Sequence, residues 1–331
     1  MRILTATEVG GILSMEDVFA ATKSAAIAHV ENRTQRPARS VLTLDQGHGE
    51  FLVMPGVVGT SQFGVKTWFT FHDAMAPLPE TAAVIHVVDS ATREEVIMDG
   101  SLITELRTGA ITGLAAARLA PASSSTLAVI GTGRHARSQA LALVFALPGI
   151  TRISFYSRNE TARTTLARDV GLELAETYPD RRIEVRAAST AAGACDGAEV
   201  VVTATNASQP VIQDAWVTDA ALVCGMGSHS REQSEIDPIT VARADRIVVD
   251  TIAGAVDTAG DIANAIDSCG VDRGDVMELG TLLGDEAVTG NDGRLAVFKS
   301  VGFSAADVAV ASFVAERALA LQLGTIIDIH R

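Results

Sequence analysis

TLAVIGTGRHA, residues Thr126–Ala136, decides the fold of this 331-residue chain. An apolar, β-branched run (Leu127–Ile130) leads into Gly-Thr-Gly and then into residues that favour helix. This order places Gly131 and Gly133 in the turn between a strand and a helix. There the first glycine permits a tight turn, the second lets the backbone approach a phosphate, and the small Ala136 allows close helix–strand packing. The N–H groups and dipole at the helix N-terminus, with Arg134 and His135 in its first turn, favour an anion at the same place. The segment therefore suits the pyrophosphate of a nicotinamide or flavin dinucleotide. A glycine triplet alone is a weak signal, and an ordinary strand–helix turn is the competing reading. Context separates the two: a strand precedes, a helix follows, and further strand–helix units lie downstream.

Those units are visible as strand candidates at Leu127–Ile130, Ile153–Tyr156, Ile183–Arg186, Glu199–Ala204, Ala221–Gly225, Arg246–Val249 and Leu295–Phe298. Alternation with helical segments predicts an α/β fold with a doubly wound parallel sheet and a ligand at the carboxyl ends of its strands. Upstream the rhythm differs. Ser14 and Asp17 form a capping box for a helix with apolar Val18, Ala21, Ala25 and Ala28. Strand candidates Arg39–Leu44, Glu50–Pro55, Phe63–Phe71 and Ala83–Asp89 then follow without intervening helices, as in an antiparallel or mixed sheet. An Ala-rich helix, Leu102–Leu119, runs into APASSS (Ala120–Ser125), the best linker candidate. A last amphipathic helix spans Ser304–Gly324, with Val308, Val310, Phe313 and Leu319 apolar. Periodicity leaves open whether it returns to the first domain.

Composition narrows the class. With 47% hydrophobic and 20% charged residues the chain is not disordered, and no apolar run approaches the ~18 residues of a membrane span. The N-terminus, MRILTATEVG, shows no signal-peptide pattern. Cys195, Cys224 and Cys269 form no CxxC pair, and Cys224 in its apolar run reads as a buried thiol. The expectation is a reduced, cytoplasmic protein. A net charge of −14 argues against a nucleic-acid-binding surface, which needs a basic stripe. Neither zinc-ligand spacing nor a Gly-x-Ser-x-Gly elbow is present, so no metal site and no hydrolase chemistry are expected.

The end of the second strand bears on the choice of dinucleotide. An acid there accepts hydrogen bonds from the ribose and repels a 2′-phosphate. Here the chain reads Ser157, Arg158, Asn159, with no carboxylate until Glu160. A hydroxyl followed by a guanidinium suits a 2′-phosphate, so NADP(H) is preferred and NAD(H) is possible. A solvent-facing loop arginine is the alternative.

Three cations stand in otherwise apolar strands and helices: Arg39 after RPA, Lys66 in GVKTWF, and Arg107 in LRTGAITGLAA. With MPG (Met54–Gly56), the GTGRHA turn, VTATN (Val202–Asn206) and FKSVG (Phe298–Gly302), they make a specific set. Over nearly its whole length the chain resembles the ornithine cyclodeaminase/mu-crystallin family, which includes archaeal-type alanine dehydrogenases and imine reductases such as Δ1-pyrroline-2-carboxylate reductases. The resemblance implies a central Rossmann domain, 120–302, and a discontinuous α+β domain, 1–119 with 303–331, that binds substrate and forms a homodimer. It also implies that Arg39, Lys66 and Arg107 hold a small-molecule carboxylate substrate. Thr81, Arg107, His135, Ala136, Ser157, Thr205, Met226 and Ser300 would then line the cofactor, and Val301 the substrate. Two guanidinium forks and an ammonium around one pocket neutralise and orient a carboxylate. The ammonium of Lys66 can also protonate an imine nitrogen.

The chain departs from the cyclodeaminase pattern in GMGSHSREQSEID (Gly225–Asp237). His229 stands where cyclodeaminases have an aspartate and Gln233 where they have a lysine. A histidine can shuttle a proton but offers no permanent negative charge to a substrate ammonium. This favours an NAD(P)H-dependent oxidoreductase of a small α-imino or α-amino acid. Two alternatives stay open: an ornithine-cyclodeaminase-type lyase with tightly bound NAD, and a non-enzymatic, NADPH-dependent ligand-binding protein like mu-crystallin. His229 is either a proton donor or a loop histidine.

Overall fold

The computed structural model describes residues 1–37, 39–44, 49–71, 80–285 and 293–328. They form two compact units, Met1–Arg107 with the segment from Phe303 onward, and Thr108–Gly302. The division falls between Arg107 and Thr108, inside a helix. The sequence reading puts it after Leu119, at a Pro/Ser stretch. Ala120 and Ser124 of that stretch are buried, and Ser124 N–H bonds the Pro121 carbonyl at 2.9 Å, which makes it a packed turn and not a linker.

The first unit opens with β1 (Arg2–Leu4), α1 (Ala6–Ile12) and α2 (Met15–Val30). Thr5 and Ser14 each begin their helix with a reciprocal capping box, satisfying N–H groups that the first turn leaves open. The chain continues through β2 (Thr34–Gln35), β3 (Ser40–Thr43), β4 (Gly49–Val58), β5 (Gln62–Phe71), β6 (Thr81–Asp89), β7 (Glu95–Asp99) and α3 (Ser101–Leu119). β2 and β3 both pair with β4, and β4 to β7 form an antiparallel meander. β1 joins β7 in parallel, so the sheet is mixed. The short strands β1, β2 and β7 are absent from the sequence reading.

The second unit alternates β8 (Thr126–Ile130), α4 (Arg134–Ala146), β9 (Arg152–Tyr156), α5 (Glu160–Thr177), β10 (Glu184–Ala187), α6 (Ala191–Cys195), β11 (Val200–Thr203) and β12 (Leu222–Gly225). Then come α7 (Pro238–Ala242), β13 (Arg246–Val249), α8 (Gly260–Cys269), β14 (Val276–Glu278), α9 (Leu279–Gly284) and β15 (Ala296–Lys299). All eight strands are parallel, in the order β10-β9-β8-β11-β12-β15-β13-β14. β14 is the strand that sequence periodicity misses. The chain leaves β8 toward β9 on one side and later returns to β11 on the other, so the strand order reverses between β8 and β11. A crevice outside the carboxyl ends of strands is expected at such a reversal. The strands are buried on both faces, as in a sheet covered by helices: Leu127–Ile130, Val200–Val202 and Leu222–Cys224 are all inaccessible.

α10 (Ser304–Ala320) returns to the first unit and packs on α2, β4, β5 and β6, and β16 (Thr325–Ile326) pairs antiparallel with β1. Its close approach to β4 depends on Gly56, where a Cβ would lie 3.0 Å from Ser304 Oγ and 3.2 Å from the Ser304 backbone carbon. The opposite sheet face carries Leu42, Phe51, Phe63 and Val84, all exposed. Among the described residues no helix is long and apolar enough to cross a membrane.

Candidate functional site

Two clusters of reactive side chains form, one in each unit. In the first, Lys66 lies in register with Met54 of β4 and Ile85 of β6, facing the α10 side of the sheet. Asp307, in the first turn of α10, meets it. Lys66 Nζ stands 3.0 Å from Asp307 Oδ1 and 2.9 Å from Oδ2, and Arg107 Nε of α3 donates to Oδ1 at 2.9 Å. The three residues are 3%, 0% and 5% exposed for Lys66, Asp307 and Arg107. Oδ2 accepts no hydrogen bond of good geometry and meets Lys66 only as an ion pair. Burial drives the Lys66 ammonium down from the usual lysine range to about 8; Asp307 opposes this, and Arg107 and Arg39 add to the lowering. Arg39 is half-buried and stands one residue before the Ser40–Val53 pair, level with Met54 and, across it, Lys66. Thr81, at the start of β6, shares a 2.7 Å hydrogen bond between its hydroxyl and that of Thr70.

In the second unit the carboxyl ends of β8, β9, β11, β12 and β15 converge. Gly131 has φ +131° and donates to the Tyr156 carbonyl at 2.8 Å; a Cβ on it would collide with the Ala204 carbonyl oxygen. Glycine is thus required by both conformation and space. A Cβ on Gly133, by contrast, would meet nothing within 4 Å. Gly133 begins α4 without a side-chain cap, and no acid lies in that helix's first turn. An uncapped N-terminus with open space above its second glycine fits a pyrophosphate. Ala136 is buried against the sheet, while Arg134 and His135 are exposed. Ser157 follows β9, half-buried, its hydroxyl 3.3 Å from that of Thr132, and Arg158 is exposed beyond it. Arg163, unremarked in the sequence reading, donates to the Ser157 carbonyl at 3.0 Å, with its guanidinium 5.9 Å from the Tyr156 ring centre.

Next to these strand ends lies a buried charge network. Glu235 accepts from Thr205 N–H (2.6 Å), Thr205 Oγ1 (2.9 Å), Gly227 N–H (2.5 Å) and Ser228 N–H (3.1 Å). Lys299 Nζ donates to Ser228 Oγ at 2.8 Å and lies 2.9 Å from Asp261 Oδ2. Asp261 also accepts from Ser228 Oγ, and from the N–H groups of Glu235 (2.6 Å) and Ile236 (2.9 Å). Burial raises the Glu235 carboxyl, with Asp261 adding to the rise, and Lys299 and the N–H donors opposing it. Burial alone would raise Asp261 too, but Lys299, Ser228 and the Ile236 N–H outweigh it and hold this carboxyl low. On the other side of β15, Asp250 accepts from Ser300 Oγ (2.7 Å) and from the N–H groups of Val301 (2.8 Å) and Gly302 (2.6 Å). Thr205, Ser300 and Val301 are therefore held by buried carboxylates. Met226 is buried and accepts a 3.1 Å contact from Thr112 Oγ1 at its sulfur.

His229 is exposed on the loop after β12. Its N–H donates to Gln233 Oε1 at 3.0 Å, and its Nδ1 lies 3.3 Å from the Gly227 carbonyl oxygen. The structure thus joins Lys66 to Arg107 through Asp307, sets Arg39 level with Lys66, and gathers Gly131, Gly133, Ser157, Thr205, Met226 and Ser300 along one row of strand ends. Asp307, Asp250, Asp261 and Lys299 are among the chemistry-bearing residues that sequence reasoning misses. Among the described residues no cluster of three or more His, Cys, Asp or Glu side chains could hold a metal ion.

A Δ1-pyrroline-2-carboxylate reductase of Bacillus cereus is 29% identical, the match covering 99% of this chain and 100% of the relative. The structure of Thermococcus litoralis Δ1-pyrroline-2-carboxylate reductase in complex with NADH and L-proline superposes with a TM-score of 0.89 at 26% identity, covering 99% of this chain and 100% of the other. An archaeal alanine dehydrogenase dimer with bound NAD gives a TM-score of 0.86 at 26% identity, covering 99% of each chain. The sequence pattern of the ornithine cyclodeaminase/mu-crystallin family matches residues 1–322, and the chain belongs to that family.

Proposed function

We propose that this chain is a nicotinamide-dependent oxidoreductase that reduces a small α-imino acid, or oxidises the matching α-amino acid. The observation that carries this reading is the buried Lys66–Asp307–Arg107 group in a chain that also builds a dinucleotide turn. A cation pair buried around a single carboxylate is suited to recognising a second carboxylate, that of a substrate. Arg107 uses Nε for Asp307, and the Nη pair of a guanidinium is the fork that matches a carboxylate. Arg39 and Arg107 then fix the substrate carboxylate, and Lys66 gives its proton to the imine nitrogen. A bound dihydronicotinamide supplies the hydride that the substrate α-carbon takes up. Relatives named as pyrroline-2-carboxylate reductase and alanine dehydrogenase support the same substrate class.

Gly131, Gly133, Arg134, His135 and Ala136 would hold the pyrophosphate and Ser157 and Arg158 the adenosine ribose. Thr205, Met226 and Ser300 would lie along the nicotinamide, with Val301 toward the substrate. The exposed His229 offers no fixed negative charge, which favours the reductase over cyclodeaminase chemistry on a diamine. A screen of Δ1-pyrroline-2-carboxylate, its six-membered homologue, iminosuccinate, and pyruvate with ammonia tests the proposal by loss of the reduced-nicotinamide absorbance. Oxidation with one of these substrates supports it, and none with any of them counts against it.

For the cofactor we propose NADP(H) over NAD(H), supported by Ser157 and Arg158 where an acid would select NAD. Arg158→Ala should weaken NADPH binding by about 10- to 100-fold, the loss of one charge-assisted contact, and leave NADH binding unchanged. Fluorescence titration reads both. Tighter binding of NADH than NADPH by the unaltered protein would contradict the preference.

The chain is further proposed to act as a homodimer through the outer face of its mixed sheet. Phe51, Phe63 and Val84 remain 37%, 45% and 42% exposed there, more apolar surface than isolated positions on a monomer explain. Val84→Glu should shift the protein toward monomer in sedimentation velocity. A monomeric unaltered protein would remove this part of the account.

A further inference from the structure

We infer that Asp307 is a positioning residue of the proposed reaction: it fixes Lys66 and Arg107 in one geometry and keeps Lys66 an ammonium. The inference rests on the oxidoreductase reading above and deepens it. Its physical basis is the arrangement of charges around Nζ. Lys66 is contributed by β5, Arg107 by α3 and Arg39 by the segment before β3, and all three are cations. The neighbours of Lys66 on β4 and β6 are Met54 and Ile85, which bring no charge. Asp307 of α10 is the carboxylate that meets this set, with Nζ astride its two oxygens at 3.0 and 2.9 Å and Arg107 Nε at 2.9 Å. Two buried cations this close repel each other unless an anion lies between them. Asp307 is also sheltered from solvent, so its charge acts through a poorly screening medium.

The influences on the Lys66 proton have a consistent sign. Burial, Arg107 and Arg39 all disfavour the charged form, and Asp307 alone favours it, by charge and by hydrogen bond. With Asp307 the ammonium persists to about 8. Without it nothing holds the proton, and Lys66 becomes neutral near neutral pH. A neutral amine cannot donate a proton to an imine, and it adds no positive charge to the carboxylate site. Both oxygens of the carboxylate are engaged by the cations: Oδ2 meets Nζ as an ion pair, and Oδ1 takes Nζ and Arg107 Nε.

The sequence allows a direct test. Lys23, Lys66 and Lys299 are the chain's three lysines, so full-length protein labelled with 13C at lysine Cε gives three assignable NMR signals. Lys66→Arg identifies the one from Lys66. In Asp307→Asn that signal should titrate about one to three pH units lower than in the unaltered protein, the size of shift expected from an opposite charge at this range. The alkaline limb of kcat for imine reduction should move down with it, and Asp307→Glu should restore part of both. An unmoved Lys66 titration in Asp307→Asn overturns the inference. A moved titration with an unmoved rate profile leaves the positioning of Lys66 intact and removes Lys66 as proton donor, so the two readings fail separately. Should Asp307→Asn not fold, Asp307→Ala carries the same test: the Lys66 signal should titrate lower than in the unaltered protein, and an unmoved signal overturns the inference.

Discussion

Lys66→Met should lower kcat/KM for imine reduction by about 10²- to 10⁴-fold, the usual contribution of a general acid. Loss of a carboxylate partner adds to the effect through KM. Arg107 still pairs with Asp307 in this variant, so the fold and the dinucleotide turn in the other unit should survive. Circular dichroism and NADPH titration check both points. The unaltered enzyme has a second signature. Its Lys66 is the ammonium below about 8 and neutral above, so reduction should decline as pH rises through that value. Lys66→Arg keeps a permanent charge with no proton to spare, since guanidinium does not ionise in this range. That variant should bind substrate but reduce it slowly, without the alkaline decline. Full activity in Lys66→Met would reduce Lys66 to a structural lysine.

Lys299→Met should produce the largest loss of stability. It leaves Asp261 buried without a cation, with Glu235 close by. Breaking a buried ion pair by removing one partner costs about 3–5 kcal/mol, because the remaining charge is uncompensated. Trp216 lies in this unit and Trp68 in the other. A Trp68→Phe background therefore lets urea unfolding of the dinucleotide unit be followed by fluorescence. Adding Asp261→Asn to Lys299→Met should recover part of the loss, since it removes the stranded charge and keeps an acceptor for the Glu235 and Ile236 N–H groups. NADPH affinity should fall in Lys299→Met as well, because Glu235, which holds the Thr205 and Gly227 N–H groups, loses the favourable charge of Lys299. An unchanged urea midpoint would show that the network is dispensable.

The parts of this molecule that are local in sequence were legible in it. The strand–Gly-Thr-Gly–helix segment, the capping box at Ser14 and the buried strands of the parallel sheet rest on spacings of a few residues, and the structure has them. Arg39, Lys66 and Arg107 each read alone as a surface charge or ion-pair partner, and the resemblance to the family singles them out. Asp307 could not be singled out. It lies 200 residues from Arg107, in the first turn of an Ala-rich helix, where an acid is ordinarily read as complementing the helix dipole. Its partner becomes visible only when α10 folds back over β5. The Lys299–Asp261 pair is hidden for the same reason, although a lysine inside the apolar run AVFK was a signal available to be used. Strands β1, β14 and β16 have two or three residues each, too few for any periodicity. APASSS has the composition of a linker, while helix α3 passes unbroken from one compact unit into the other with no change in its pattern.

If this chain moves a hydride between a nicotinamide cofactor and a small imino acid, the cofactor is consumed in proportion to product. One measurement tests it most directly. Purified protein is given Δ1-pyrroline-2-carboxylate with NADPH or NADH in one vessel, and ornithine with sub-stoichiometric NAD in another, and proline, ammonia and reduced cofactor are followed in both. One proline should form per reduced cofactor consumed in the first vessel, and neither proline nor ammonia should form in the second. Repeated turnover of ornithine to proline and ammonia, with no cofactor consumption by the imine, would contradict it and assign the chain to cyclodeaminase chemistry.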